Sequence, residues 1–550
     1  MTPPLITEAQ HELDDEMCTW PAAPALYTRA NAVDQWPRPI TPLTQDLIAY
    51  PQERGLGRAF DSVLGVAPAG GPWSWNGVFY GWYCYGVEPA AAMADNLPGY
   101  SRVAVYSDYF GVAQDPEAPV RPAGRVSPLA VAKIGRNFLT AMRRYPRDAE
   151  RMTAVAARRL ALDRRRDWAG EPDGALAARL VGHLEEGCEF RVPHVLASVI
   201  SAPLFQNVTA TVRRMLPADS DQVEALVADA VSGLGGIHLR EASRAMGEVA
   251  AGRLGRAEFL DQYGFRGANE FELAARPWHD DPATVDRLIA AAATASSDHA
   301  VEQRKQATVR LRALAGARWP MVRWKLGMLE THMRWRENGK VPMAMATHSM
   351  RLLTGEAARR LTDRGRLADP AEVHYLRLDE LVEELRGRPV DGLDAAIERR
   401  RRTLDRSARM RIPEVLDVGT DRLDEIGPAR WKSMGVLPPR PPAADGTELP
   451  GVGGSAGVAT GRARIVHDPN EVELAEGDVI VARGTDSAWM PLFFEAAAVV
   501  VDVGGAMSHS AIAAREVGIP CVVNVKVGTD RIVEGQKITV DGVTGVVHLH

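Results

Sequence analysis

Two hydrophobic rhythms divide this chain. Through the middle of the sequence, apolar residues recur at three- and four-residue spacing in segments rich in Ala, Leu, Arg and Glu. That period predicts helices over Asp148–Trp168, Asp221–Arg253, Asp286–Leu314 and Met343–Arg364. After Gly451 the pattern changes to short β-branched runs punctuated by glycine, which predict strands at Ala463–Val466, Asp478–Ala482, Ala498–Val503, Pro520–Val525 and Lys537–Val540. Two helix-like pieces, Ala488–Glu495 and Ser510–Val517, lie between them, and the alternation predicts a compact α/β unit. The junction is PPRPPAADGTELPG, Pro438 to Gly451, too rich in proline for a helix interior and read as a semi-rigid exposed linker. The expected division is a mostly helical region 1–437, a hinge linker 438–451 and an α/β domain 452–550, a multidomain α plus α/β protein.

The first 120 or so residues depart from the helical pattern, with Trp73, Trp75, Phe79, Tyr80, Trp82, Tyr83 and Tyr85 close together. Aromatics this dense either line an apolar pocket or pack a strand and its neighbours into a core. A chain of 550 residues exceeds one compact core and implies several domains. No apolar run approaches the roughly 18 residues of a membrane span, and the acidic start MTPPLITEAQHELDDEM lacks the regions of a signal peptide, so no membrane and a cytoplasmic location are expected. Cys18, Cys84, Cys188 and Cys521 form no CxxC, which suggests reduced thiols and no metal site. A net charge of −6 gives no basic footprint for nucleic acid. The arginine runs Arg164–Arg166 and Arg399–Arg402 have acids nearby and read as solvated helix faces.

The most informative stretch is VVVDVGGAMSHSAIAAREVGIPCVVNV, residues 499–525. An apolar strand runs into Gly504 and Gly505, which allow a sharp turn and close approach of a bulky anion. Ser508 and His509 then open a helix that Gly518 and Pro520 terminate. His509 thus stands at a helix amino terminus, where free N–H groups and the positive end of the dipole favour an anion. Imidazole is nucleophilic when neutral near pH 7, and an N–P bond on it keeps a high transfer potential. The alternative reading of these residues is a helix start with an incidental histidine.

This stretch, with VIVARGTDSAWMPLF at Val479–Phe493, resembles the mobile phosphohistidine domain of phosphoenolpyruvate synthase, pyruvate phosphate dikinase and rifampin phosphotransferase over Gly451 to Leu549. The shared signature is G-G-x-x-S-H-x-A-I-x-A-R-E-x-G-I-P. The resemblance implies a swivelling β/β/α domain in which His509 accepts a phosphoryl group and Gly504, Gly505 and Ser508 form the loop around it. Val501 is a departure, since threonine usually stands there in those relatives, and no phosphate contact is implied for that side chain.

Three earlier segments resemble, in order, landmarks of the antibiotic-binding domain of rifampin phosphotransferase: Tyr27 to Asp46, Phe259 to Pro282 and Leu361 to Leu381. A further match, RENGK, sets Arg336 and Lys340 four residues apart, on one face if helical. Guanidinium and ammonium there could grip one phosphoryl group, and the family's R-E-x-x-K motif implies that role. The competing reading is a surface pair bridged to Glu337. Gln45 resembles a polar residue of the family's active site. His279, beside Asp280 and Asp281, is weighed as a base against a solvated turn. With Trp75, Tyr80 and Trp82, Gln45 and His279 make up the candidate contacts to an acceptor.

In phosphoenolpyruvate synthase and the dikinase an ATP-grasp domain precedes the mobile domain and a barrel follows it. Here 41 residues follow His509, against the 200 or so that a (β/α)8 barrel needs. In rifampin phosphotransferase the ATP-grasp domain precedes the acceptor domain, whose first landmark here begins at Tyr27, and no Walker-type loop replaces it. The resemblance therefore implies a separate ATP-grasp subunit that holds ATP and magnesium and charges His509, with no cofactor bound by this chain. The expected activity is phosphotransfer from His509 to a hydroxyl of a largely apolar small molecule, a natural product or a phenol-like compound. The alternatives are a phosphohistidine carrier or regulatory module without acceptor chemistry, and a ligand-sequestering protein.

Overall fold

The computed structural model describes residues 4–550 except 30–31, 34, 65–73, 95–100, 111, 113, 117–127, 216–222, 295–298, 439–445, 468, 470–471, 486–488 and 506–507. They gather into two compact units, each assembled from separated stretches of chain. The first takes Met1–Leu196, Phe271–Ala274 and Pro342–Arg440; the second takes Ala197–Glu270, Ala275–Val341 and Pro441–His550. This grouping records packing in one conformation. Half of the expected linker 438–451 lies outside the described residues.

The first unit is built around an antiparallel sheet of β1 (Ala25–Thr28), β2 (Asn76–Phe79), β3 (Trp82–Gly86), β4 (Val415–Val418) and β5 (Leu423–Glu425), in the order β2-β3-β1-β4-β5. The aromatic cluster is the β2–β3 hairpin. Its two turn residues, Tyr80 and Gly81, both have positive φ (51° and 87°), the backbone of a tight turn whose twist suits antiparallel strands. A Cβ at Gly81 would overlap Leu404, so glycine is required there. Tyr80 and Trp82 are buried in a core with Tyr27, Phe79 and Leu416. Trp75 stacks flat on Phe60 at a centroid distance of 4.5 Å, and Trp73 lies outside the described residues.

Long helices follow in the chain, and the one over Asp173–Arg213 contributes residues to both units. The expected helix 148–168 is the end of a longer one, Pro128–Arg165. Helix Asp173–Arg213 is long and apolar enough to cross a membrane by length and composition, and 59% of its most apolar window is buried inside the protein. A search for uninterrupted apolar runs misses it. One arginine run departs from the solvated-face reading: Arg400 is buried and bridges Glu16 (3.0 Å) and Glu380 (2.6 Å). Its neighbours Arg399, Arg401 and Arg402 pair with acids at the surface.

The second unit joins a helical layer to the C-terminal α/β fold. Its helices include α1 (Val223–Ala230), α2 (His238–Ala250), α3 (Arg256–Tyr263), α4 (Pro282–Thr294), α5 (His299–Ala315) and α6 (Trp319–Asn338). The single helix expected over 221–253 is two, because Gly233 and Gly236 take positive φ (58° and 75°) between α1 and α2. A Cβ on Gly233 would strike the backbone at Ala300 and Val301, so the break is also a close crossing of chains.

The α/β part is an eight-stranded mixed sheet in the order β6-β13-β12-β8-β9-β10-β11-β7. Its strands are β6 (Glu448–Pro450), β7 (Val452–Ser455), β8 (Val458–Ile465), β9 (Asp478–Ala482), β10 (Ala498–Val501), β11 (Cys521–Val523), β12 (Lys537–Asp541) and β13 (Val546–Leu549). Strands β8, β9, β10 and β11 run parallel. Such strands are covered on both faces, which is why β10 reads Ala-Val-Val-Val without alternation. Val499 and Val501 enter one core and Ala498 and Val500 the other. Burying one valine contributes about 1.5–3 kcal/mol. Two helices, α7 (Met490–Glu495) and α8 (His509–Val517), lie over the first of these cores. The fold is multidomain α plus α/β, as the sequence pattern indicates; β6, β7 and β13 were not among the expected strands.

The turn after β12 sets a stability test. A Cβ at Gly542 would overlap the Ser455 carbonyl oxygen, a backbone atom that cannot rotate away. Gly542→Ala should therefore lower stability by about 1–3 kcal/mol in urea unfolding of the full chain. An unchanged midpoint would show that the turn shifts freely.

Candidate active site

His509 is placed by a strand, a turn and a helix. Strand β10 ends at Val501, Gly504 follows with φ of 136°, and Ser508 is the extended residue before α8. A Cβ on Gly504 would sit 2.8 Å from Ser508 Oγ, so glycine is what lets the turn close over the serine. Gly505 is exposed, and its carbonyl accepts the Ser508 N–H at 2.9 Å. Below the helix start, Ser510 Oγ and Thr485 Oγ1 bond at 2.8 Å in a buried contact, tying α8 to the loop after β9.

The His509 ring is buried at 6% exposure. Among the described residues neither ring nitrogen has a hydrogen-bond partner. Burial pushes its pKa down to about 3, Lys340 and Arg266 push the same way, and Glu337 opposes them. The ring is therefore neutral, with a lone pair available, throughout the physiological range.

The groups facing it come from the end of α6. Arg336 is in the last turn of that helix, but the helix stops at Asn338 and Lys340 follows in the turn after Gly339. The single-helix geometry expected for the pair is therefore corrected. Pro342 lacks the N–H that would continue the ladder. Lys340 Nζ lies 4.0 Å from Glu337, whose side chain is largely buried. Burial pushes the Glu337 carboxyl up, yet the positive charges of Lys340, Arg336 and Arg266 outweigh it and hold the pKa below the ordinary value. Arg266 is itself buried and paired with Glu270 at 3.0 Å. Lys340, Glu337 and Arg266 thus share an electrostatic environment with His509. Sequence reading treated Glu337 only as a surface acid and did not single out Arg266. The signal for Arg266 was an arginine inside the GFRGANE landmark, and for Glu337 the acid within R-E-x-x-K.

The other end of α8 is held to the helical layer by charge. Arg515, buried, pairs with Asp229 of α1 at 3.4 Å. Glu516 accepts the Gly233 N–H at 2.9 Å and lies 3.4 Å from Arg240 of α2. The glycine break between α1 and α2 therefore presents a backbone donor to the helix that begins with His509.

The remaining candidates lie apart. His279 is exposed in a short turn of helix, bonded to Asp280 at 2.9 Å. Gln45 belongs to the first unit, where its side-chain oxygen accepts from Arg377 at 2.9 Å. Trp75, Tyr80 and Trp82 are in that unit's hairpin. No disulfide joins any of the four cysteines among the described residues, and burial pushes the Cys521 thiol up to about 12.

The parallel-stranded sheet, with its histidine-bearing helix start, defines a class. Residues 474–545 match the family model of the PEP-utilising enzyme mobile domain. Residues 149–337 match the rifampicin phosphotransferase fourth domain, so the resemblance drawn from the sequence is borne out on both sides of the site. A rifampicin phosphotransferase of a Streptomyces species is 31% identical over 311 residues, 53% of this chain and 34% of that protein. The uncharacterized phosphotransferase YvkC of Bacillus subtilis is 27% identical over 303 residues, 53% of this chain and 35% of that protein. The chondramide synthase cmdD of Chondromyces crocatus is 32% identical over 349 residues, 56% of this chain and 9% of that protein. The chain spans about a third of the length of the two phosphotransferases.

The depressed pKa of His509 has a pH consequence. The unfolded or solvent-exposed ring binds a proton near 6.5 and the packed ring near 3. The packed state is thus fully favoured above 6.5 and loses that advantage as pH falls through the window from 6.5 to 3. Hydrogen exchange of the α8 amides, corrected for intrinsic rates, should show protection falling from pH 7 to pH 5. His509→Gln should flatten the dependence; an equal dependence in that variant would place the titration elsewhere.

Proposed function

We propose that this chain is the carrier and acceptor part of a phosphotransferase in which His509 accepts a phosphoryl group and passes it to a hydroxyl of a largely apolar small molecule. The observation that carries the reading is a buried, neutral, unpartnered imidazole at a helix start, within a mobile-domain match and facing Lys340 and Glu337. A separate ATP-grasp subunit, holding ATP and magnesium, supplies the group. The protein works in the cytoplasm, and residues 438–451 are the hinge on which the domain from 452 onward swings between charging and delivery. The supports are the family signature around His509 and the names of two of the relatives, a rifampicin phosphotransferase and an uncharacterized phosphotransferase.

In this reading Lys340 and Arg336 neutralise the phosphoryl oxygens during delivery, the main difficulty of such a transfer. The loop at Gly504, Gly505 and Ser508 and the free amides of the first turn of α8 receive the anion on the carrier side. His509 departs as neutral imidazole with the electron pair of the N–P bond, provided that its other ring nitrogen keeps its proton while the phosphoryl group is bound.

The test is a pulse-chase. With the ATP-grasp partner and labelled ATP, His509 should take an acid-labile, alkali-stable label, and His509→Ala none. Lys340→Ala should accept label yet discharge it to acceptor about 30- to 1,000-fold more slowly, as expected for losing roughly 2–4 kcal/mol of charge stabilisation. Label that never leaves the wild-type protein would favour a carrier module without acceptor chemistry. Binding of small molecules with no label at all would favour a sequestering protein.

A further inference from the structure

We propose that the cleft in front of His509 is the acceptor site, and that Glu337 takes the proton from the acceptor hydroxyl. This rests on His509 being the phosphoryl carrier and goes beyond it by locating the acceptor in the second unit. None of the residues singled out from the sequence as acceptor contacts lines this cleft.

The cleft has a volume of about 750 Å³ and is bordered by both His509 and Glu337. That size falls within the roughly 300–1,000 Å³ of small-molecule pockets and excludes a macromolecular acceptor from entering whole. Its walls are mixed: Met490, Phe494 and Ile512 from the α/β side and Ala251 and Ala292 from the helical side are apolar, and charged residues such as Arg240 and Arg244 border the rest. A small apolar body carrying a hydroxyl can rest on the apolar part with its polar end toward the charges, and a phenol is its simplest member.

Glu337 is the carboxylate placed for proton transfer. Two other acids of the cleft are committed: Glu516 is held by Arg240 and the Gly233 N–H, and Glu248 pairs with Arg253 at 2.5 Å; Glu241 also borders the cleft but is not among the groups that act on the His509 ring. Glu337 is largely buried beside Lys340 at 4.0 Å and remains ionised. The step balances without a further reactant. The acceptor oxygen forms the O–P bond, the N–P bond breaks with its electrons staying on His509, and the hydroxyl proton goes to Glu337. Protonation removes the negative charge that holds Lys340, which frees the ammonium for the phosphate ester just formed.

The experiment uses the full chain charged at His509 with phosphoramidate and chased with two probes, phenol and 4-nitrophenol, at pH 8. Phenol ionises near 10 and needs a base, whereas 4-nitrophenol is largely ionised already. Variants are brought to equal label before the chase. Glu337→Gln should slow discharge to phenol about 100-fold or more, and discharge to 4-nitrophenol far less. Gly247 borders the cleft and a Cβ there meets no atom closer than 3.9 Å, so Gly247→Leu adds bulk at the cleft wall without a backbone clash. It should block discharge to both phenols. Equal slowing of both probes by Glu337→Gln would remove its proton role. Normal discharge in Gly247→Leu would remove the cleft as the acceptor site, as would a labelled wild type that discharges to neither phenol. A wild type that takes no label overturns the carrier reading itself.

Discussion

The arrangement turns on the removal of one imidazole from water. A histidine with no hydrogen-bond partner inside a protein is a cost, and here two cations nearby raise the penalty for protonating it. The ring is kept neutral by the combination. Everything around it is consistent with that constraint: glycine at 504 so that the turn can close, the Ser510–Thr485 hydrogen bond beneath the helix start, and ion pairs at the helix's far end. An anion on His509 would reverse the local balance, because the same Lys340 and Arg266 that disfavour imidazolium would attract it.

Glu337 gives this environment its second property. A carboxylate between cations is cheap to keep ionised but limits how strongly those cations can act on anything else. The pair with Lys340 is in effect a reserve of positive charge, released when the carboxylate is neutralised. Burial makes this exchange consequential, since interactions between charges are far weaker where water screens them.

How much of this was legible beforehand differs by element. The parallel strands β9 and β10 announced themselves by unbroken β-branched runs, and α8 by its glycine stop at Gly518. Strands β6, β7 and β13 are short, glycine-bearing or at the sheet margin, and local pattern does not encode their pairing. The helix over 221–253 was read as one because Gly233 and Gly236 carry no periodic signal. Their meaning lies in the chains that cross there. His509 was visible through a contiguous signature. Its surroundings were not, since Arg266, Glu337 and His509 are brought together only by tertiary packing. Arg400 makes the same point in the first unit: one arginine in a run of four is buried, and nothing in the run marks which.

The order of strands in the C-terminal sheet has a kinetic corollary. Strand β6 pairs with β13, and β7 with β11, so the first strands of this sheet to be made wait for partners that come much later in the chain. Pairings of such separation are slow to form because loop closure precedes any reward. The histidine turn instead follows β10, whose partners β9 and β11 lie close to it in sequence. Its own strands can pair early, whereas the margins of the sheet close only once the last strand has been made.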